Sequence, residues 1–187
     1  MVRRLNPAAL LLLAAAISTN AQSPVKVRDF GGMQGDVYVH KWTGVQLTLP
    51  AGWSLVSQGW GDHGGQIVLL KDSVTGTIAS VWLKPETAQV ADIPALLERK
   101  LDTKGMQRNS YQDYRMRAGS VQHITVGGNQ GVSVLADFVN LGQQKSEYMA
   151  WIYSGKTHVF FDGRVPAEQL AAFQSRLDPL IQSASVP

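Results

Sequence analysis

The sequence contains no cysteine. Disulfide stapling is therefore excluded, as are a thiol nucleophile and a lipid-modified N-terminus of the bacterial lipoprotein type, so stability in an oxidising compartment must come from the core alone. Charge is also scarce, at 17% of residues against 44% hydrophobic. That balance, with a mean hydropathy near zero, suits one soluble domain with a real core rather than a disordered tail. No run is apolar for the roughly 20 residues that a bilayer-spanning helix needs. Polybasic stretches are missing too, which argues against nucleic acid or an anionic membrane as partner.

The N-terminus explains part of the nominal charge. Arg3 and Arg4 open the chain, Ala8 to Ile17 form a short apolar run, and Ser18-Thr19-Asn20-Ala21 follow. Residues 1–21 read as a secretory signal peptide cut between Ala21 and Gln22, which predicts a periplasmic or extracellular protein with no membrane span after cleavage. Setting Arg3 and Arg4 aside leaves fifteen of the seventeen basic residues against fourteen acidic ones. The mature chain is close to neutral. Residues 22–35 (QSPVKVRDFGGMQG) lack periodicity and read as a flexible arm, leaving 36–187 as a single domain.

Within that domain, Val37 to Lys41 and Val45 to Leu49 read as strands, the second with strict alternation. Pro50-Ala51-Gly52-Trp53 ends it. QIVLLK (66–71) and GTIASVWLK (76–84) predict a hairpin covered on both faces. A helix is expected from Asp92, with Pro94 in its first turn and Gly105 as its stop. An edge strand is expected near Tyr114–Ala118. Ser120 to Phe161 then has the alternation and the Gly, Asn and Ser punctuation of an antiparallel meander. Its strand Tyr148–Tyr153 is apolar on both faces, hence central. A last helix starts near Pro166 with the stripe Leu170, Phe173, Leu177 and Ile181, and Pro179 is expected to kink or restart it.

One helix before the meander and one after it can cover opposite faces of the sheet. The expected fold class is α+β, a three-layer α/β/α sandwich with a central antiparallel sheet. With GVQLTLPAGW at 44–53 and VPAEQLAAFQSRLDPLIQS at 165–183, the chain resembles the PsbP-like family. That family is named for the extrinsic P subunit of the oxygen-evolving photosystem. It also includes a nuclear import factor that binds Ran and many secreted bacterial proteins. The resemblance implies a binding or stabilising role and carries no functional residue across.

Chemistry is hard to find in the residues themselves. No G-x-S-x-G occurs to announce a serine nucleophile. The four histidines, His40, His63, His123 and His158, show no metal-ligand spacing, although His123 and His158 could meet if their strands pair. Gly59, Gly61 and Gly64 match G-x-G-x-x-G, but a strand follows them and Asp62 would repel phosphate. Asp72, Glu86, Glu98, Asp137 and Glu147 show no pairing for acid/base work. Asp137 is expected on the wet face of its strand, facing a Lys or Thr. Among the five tryptophans, Trp82 and Trp151 read as core.

Trp60, Asp62 and His63 in the glycine-rich stretch Gly59–Gly65 are the expected contact residues for a ligand or partner. The expected function is a non-enzymatic binding or accessory domain for a protein partner or small ligand of the cell envelope, with no cofactor, no catalytic residue and no metal. The alternatives are a small secreted hydrolase with a cleft at the sheet edge, or weak metal binding at Asp62 and His63.

Overall fold

The computed structural model describes residues 29–61, 65–85 and 111–187. Among these residues twelve strands lie in two antiparallel sheets. The smaller is made of β1 (Gly31–Gln34), β2 (Val37–His40), β3 (Gln46–Thr48) and the C-terminal β12 (Ala184–Ser185), in that order. The larger contains β4 (Trp53–Trp60), β5 (Gln66–Asp72), β6 (Ile78–Pro85), β7 (Gln112–Met116), β8 (Gln122–Val126), β9 (Asn129–Asn140), β10 (Gln143–Tyr153) and β11 (Thr157–Pro166). Its order is β4-β5-β6-β11-β10-β9-β7, with β8 also on β9.

The meander forms as expected, and β10, between β9 and β11, is buried on both faces from Ser146 onward. Among the described residues one helix, α1 (Leu170–Gln182), follows a single 3₁₀ turn at Ala167–Gln169. Leu170, Phe173, Leu177 and Ile181 face the core as the helical spacing predicts, and Leu180 joins them. At Gly163 the helix comes so close that an added Cβ would lie 2.1 Å from the Phe173 ring. The helix runs through Pro179 without restarting, and Asp178 accepts a 2.5 Å hydrogen bond from the Tyr148 hydroxyl instead of acting as a cap.

The three-layer α/β/α sandwich is overturned. The described chain is mostly strand, arranged as two antiparallel sheets with one short helix. On the helix side, the layer over the large sheet is shared with the small sheet, whose Tyr38, Leu47 and Ala184 enter the same core as Phe161 and Phe173. Segments read as arm or turn supply the extra strands: Gly31–Gln34 pairs with β2, and Trp53–Trp60 forms the edge strand β4. The expected helix from Asp92 to Gly105 lies outside the described residues. β5 and β6 also differ from expectation, because their burial alternates and only one face of each is fully covered.

The second face of the large sheet holds its own cluster of Val132, Val134, Ala136, Met149, Trp151 and Tyr153, with Tyr114, Met116 and Phe160 packed against it. Among the described residues, no helix is long and apolar enough to cross a membrane.

Candidate functional site

Trp60 ends β4 and stands 49% exposed. It does not stand alone. Phe30, just before β1, and Trp42, in the turn after β2, bring their rings to it: centroids lie 5.6 Å apart for Phe30–Trp60, 5.2 Å for Trp42–Trp60 and 5.7 Å for Phe30–Trp42. Tilted and edge-on contacts of this kind suit the ring quadrupoles. Gln58 holds the corner together by accepting from the Tyr38 hydroxyl (2.8 Å) and donating to the Gly31 carbonyl (3.1 Å), which ties the small sheet to the edge of the large one. Asp29 and Lys41 form an exposed ion pair at the same end of the β1–β2 hairpin, and the Lys41 ammonium holds the Asp29 carboxyl below the usual range. Phe30 and Trp42 were invisible as partners of Trp60 in the sequence, since only the packing of the two sheets brings them together.

The glycine-rich turn has a packing reason as well as a conformational one. Gly61 N donates to Gly65 O at 2.9 Å and closes the turn, and a Cβ at Gly61 would meet the Trp82 ring at 2.1 Å. Any side chain there would displace the turn from the second face of the sheet. Asp62 and His63, the other expected contact residues, lie outside the described residues.

From Trp82 a polar network runs inward across that face. Trp82 Nε1 donates to Ser80 Oγ (3.2 Å), and Ser80 Oγ reaches Asp162 Oδ2 at 3.5 Å. Arg164 donates to Asp162 Oδ2 from Nη2 (3.1 Å), to Glu147 Oε1 from Nε (2.6 Å) and to the Tyr111 hydroxyl from Nη1 (3.1 Å). Tyr114 donates to Glu147 Oε2 at 2.6 Å. Glu147 and Asp162 are 2% and 9% exposed. Asp162 Oδ1 is buried with no donor against it, and the Glu147 carboxyl is its neighbour. Burial, followed by that carboxyl, raises the Asp162 pKa well above the usual carboxylate range. Burial, then the Glu147 carboxyl, also raises the Tyr114 hydroxyl.

Glu147 thus has an acidic partner that the sequence did not reveal. Asp162 and Arg164 alternate on β11, so they share a face, but only the register, Glu147 opposite Arg164, brings them to Glu147. Asp137 differs from expectation in its partner. It accepts from Arg117 (Nη2 2.6 Å, Nε 3.0 Å) and Ser146 (2.8 Å), and the guanidinium holds its carboxyl low. His123 and His158 do not meet, because β8 pairs with β9 and β11 with β10 and β6. His158 is stacked on Tyr153, with centroids 4.5 Å apart. Trp151 is core as expected, while Trp82 is only half-buried. Among the described residues no group of three or more His, Asp or Glu could hold a metal ion.

No family model matches the sequence, and no curated protein does. Solved structures do. CyanoP, the cyanobacterial PsbP of Synechocystis sp. PCC 6803, matches with a TM-score of 0.60 at 14% identity, over 84% of this chain and 96% of its own. A Bacteroides thetaiotaomicron protein matches at 0.57 and 12% identity, over 83% of this chain and 49% of its own. LpqN, involved in cell envelope biogenesis of Mycobacterium tuberculosis, matches at 0.55 and 12% identity, over 76% of this chain and 83% of its own. At these identities the likeness concerns the backbone and carries no residue's role across. The chain has the PsbP-like fold.

Proposed function

We propose that this chain is a non-catalytic binding or accessory domain of the cell envelope that meets a protein partner or small ligand at the Phe30–Trp42–Trp60 corner. The observation that carries this reading is the pair of tryptophans, 44% and 49% exposed, gathered with Phe30 where the two sheets meet. Large rings left half in water at a junction of elements are an established mark of contact surfaces. The envelope setting is supported by the N-terminal leader pattern and by the likeness to LpqN. A non-catalytic role is supported by the burial of Glu147 and Asp162, which keeps that pair from serving as an accessible acid and base.

The test is thermal unfolding of residues 22–187 against divalent metals, envelope metabolites and purified envelope fractions. A ligand that binds only the folded state adds about 2.7 kcal/mol at a hundredfold excess over its Kd. Such a shift, lost in Trp60→Ala and in Trp42→Ala, is the expected result. A shift that survives both substitutions would place the contact elsewhere. Turnover of generic esterase, phosphatase or glycosidase substrates, abolished by one Ser, Asp or His substitution, would make the chain an enzyme.

A further inference from the structure

We infer that the Glu147–Asp162 pair is a one-proton lock on the second face of the large sheet, and that it couples the glycine turn beside Trp60 to pH. The inference rests on the proposed contact at Trp60 only for its consequence; the lock itself rests on the network. Among the described residues the two buried carboxyls share one guanidinium, and Asp162 Oδ1 has no donor from any described group, so a proton on Asp162 would relieve their repulsion.

The described groups around the pair come from the neighbouring strands and the segment before β7. From β6 come Ser80 and, further along, Trp82 and Lys84. From β7 comes Tyr114, and from β10 come Glu147 and, two residues along the same face, Lys145. From β11 come Arg164 and, towards the far end, His158, stacked on Tyr153. Opposite them β9 contributes Val134 and Ala136, and Tyr111 lies over Arg164 with its ring centroid 5.5 Å from the guanidinium carbon. Among the described residues Arg164 is the one cation in ion-pair contact with either carboxyl.

The link to the turn is made by contact. When Asp162 loses its proton, two facing carboxylates repel, and the Ser80 hydroxyl is drawn towards the new charge. Ser80 is the acceptor of the Trp82 indole N–H, and the Trp82 ring is the surface on which Gly61 lies. Gly61 follows Trp60 directly. A change at Asp162 thus reaches the proposed contact surface through two hydrogen bonds and one close packing contact, with no long-range pathway required.

Nuclear magnetic resonance reads this directly, through the Trp82 indole N–H and the Gly61 amide followed through a pH titration upward from the ordinary carboxylate range. The expected result is a shared titration step in both signals that is absent in Asp162→Asn, present in His158→Gln, and moved to lower pH in Glu147→Gln, where the neighbouring carboxylate is gone. Asparagine keeps the shape of the protonated acid and can still donate to Glu147, so its fold should hold. Should it not, Glu147→Gln and the wild-type titration decide alone. A Trp82 signal that does not titrate, or one whose step persists in Asp162→Asn or vanishes in His158→Gln, overturns the lock. The contact at Trp60 is judged separately, by ligand shifts in Trp60→Ala at one pH.

Discussion

His40 shows what burial does to a single titratable side chain. It is fully buried on β2, its Nδ1 lies 2.6 Å from Thr43 Oγ1, and its Nε2 has no partner among the described atoms. Burial lowers its pKa from 6.5 to about 4. Between those values the unfolded chain binds a proton that the folded chain refuses, so stability falls as pH drops through that window, by about 3 kcal/mol in all. His40→Asn should flatten that part of the profile in urea titrations from pH 7 to pH 4. An unchanged slope would show that His40 is hydrated in solution. Asp162 acts with the opposite sign. Its raised pKa means the folded state holds a proton that the unfolded chain releases, so its contribution is full at low pH and is lost as pH rises through the folded value. Asp162→Asn should therefore hold its stability better than the wild type on the alkaline side. Neither group could be placed from the sequence. Alternation tells which residues share a face, but not which residue of the next strand lies opposite, and Glu147 looked solitary for that reason.

At the scale of elements, hairpins were the most legible part, because their turns carry chemistry. β9 and β10 are joined by Leu141-Gly142, both with positive φ (50° and 75°), and Asn140 pairs with Gln143. A two-residue turn of this hand matches the twist of the strands and favours Asn or Gly at each position. Leu141 is a poor occupant, 96% exposed and left-handed. Leu141→Asn should raise stability by about 0.5–1 kcal/mol, read as a higher urea midpoint with an unchanged slope. No gain would mean that the turn already relaxes at no cost. Close approach of elements leaves a fainter mark. Nothing in the string FFDGRV announces that Gly163 touches the Phe173 ring, yet an added Cβ would lie 2.1 Å from it. Gly163→Ala should cost about 1–3 kcal/mol by overpacking, and Phe173→Leu should recover part of that loss in the double variant, where Phe173→Leu alone destabilises. Additive losses would place the strain elsewhere. The helix itself was legible from its stripe, whereas its passage through Pro179 was not, since the burial of Leu180 and Ile181 beyond the proline holds the last turn in place.

The architecture of the whole molecule depends on pairings between segments far apart in sequence, and these leave no local trace. β6 pairs with β11, which lies far along the sequence, and β3 with β12 across nearly the whole chain. The small sheet is closed by the C-terminus: Ala184 sits opposite Leu47, Val186 is buried, and Asn129 donates to the Val186 carbonyl at 2.8 Å. Arg176 adds a second clasp from α1, donating to the buried Asp72 carboxylate at 2.9 Å and to the Ala51 carbonyl at 2.5 Å. Helix, small sheet and large sheet should thus unfold together. Deleting residues 184–187 tests this. Burial of Ala184 and Val186 is worth about 3 kcal/mol, which for a chain of this size corresponds to a Tm lower by roughly 6–12 °C. If the small sheet is part of the cooperative unit, the shortened chain should melt in one transition at the lower Tm, and β1–β3 amides should exchange only with the rest. If it is an appendage, the main transition should stay where it is while those amides lose protection on their own. The second outcome would also loosen the Phe30–Trp42–Trp60 corner, where Gln58 ties β1 and β2 to β4.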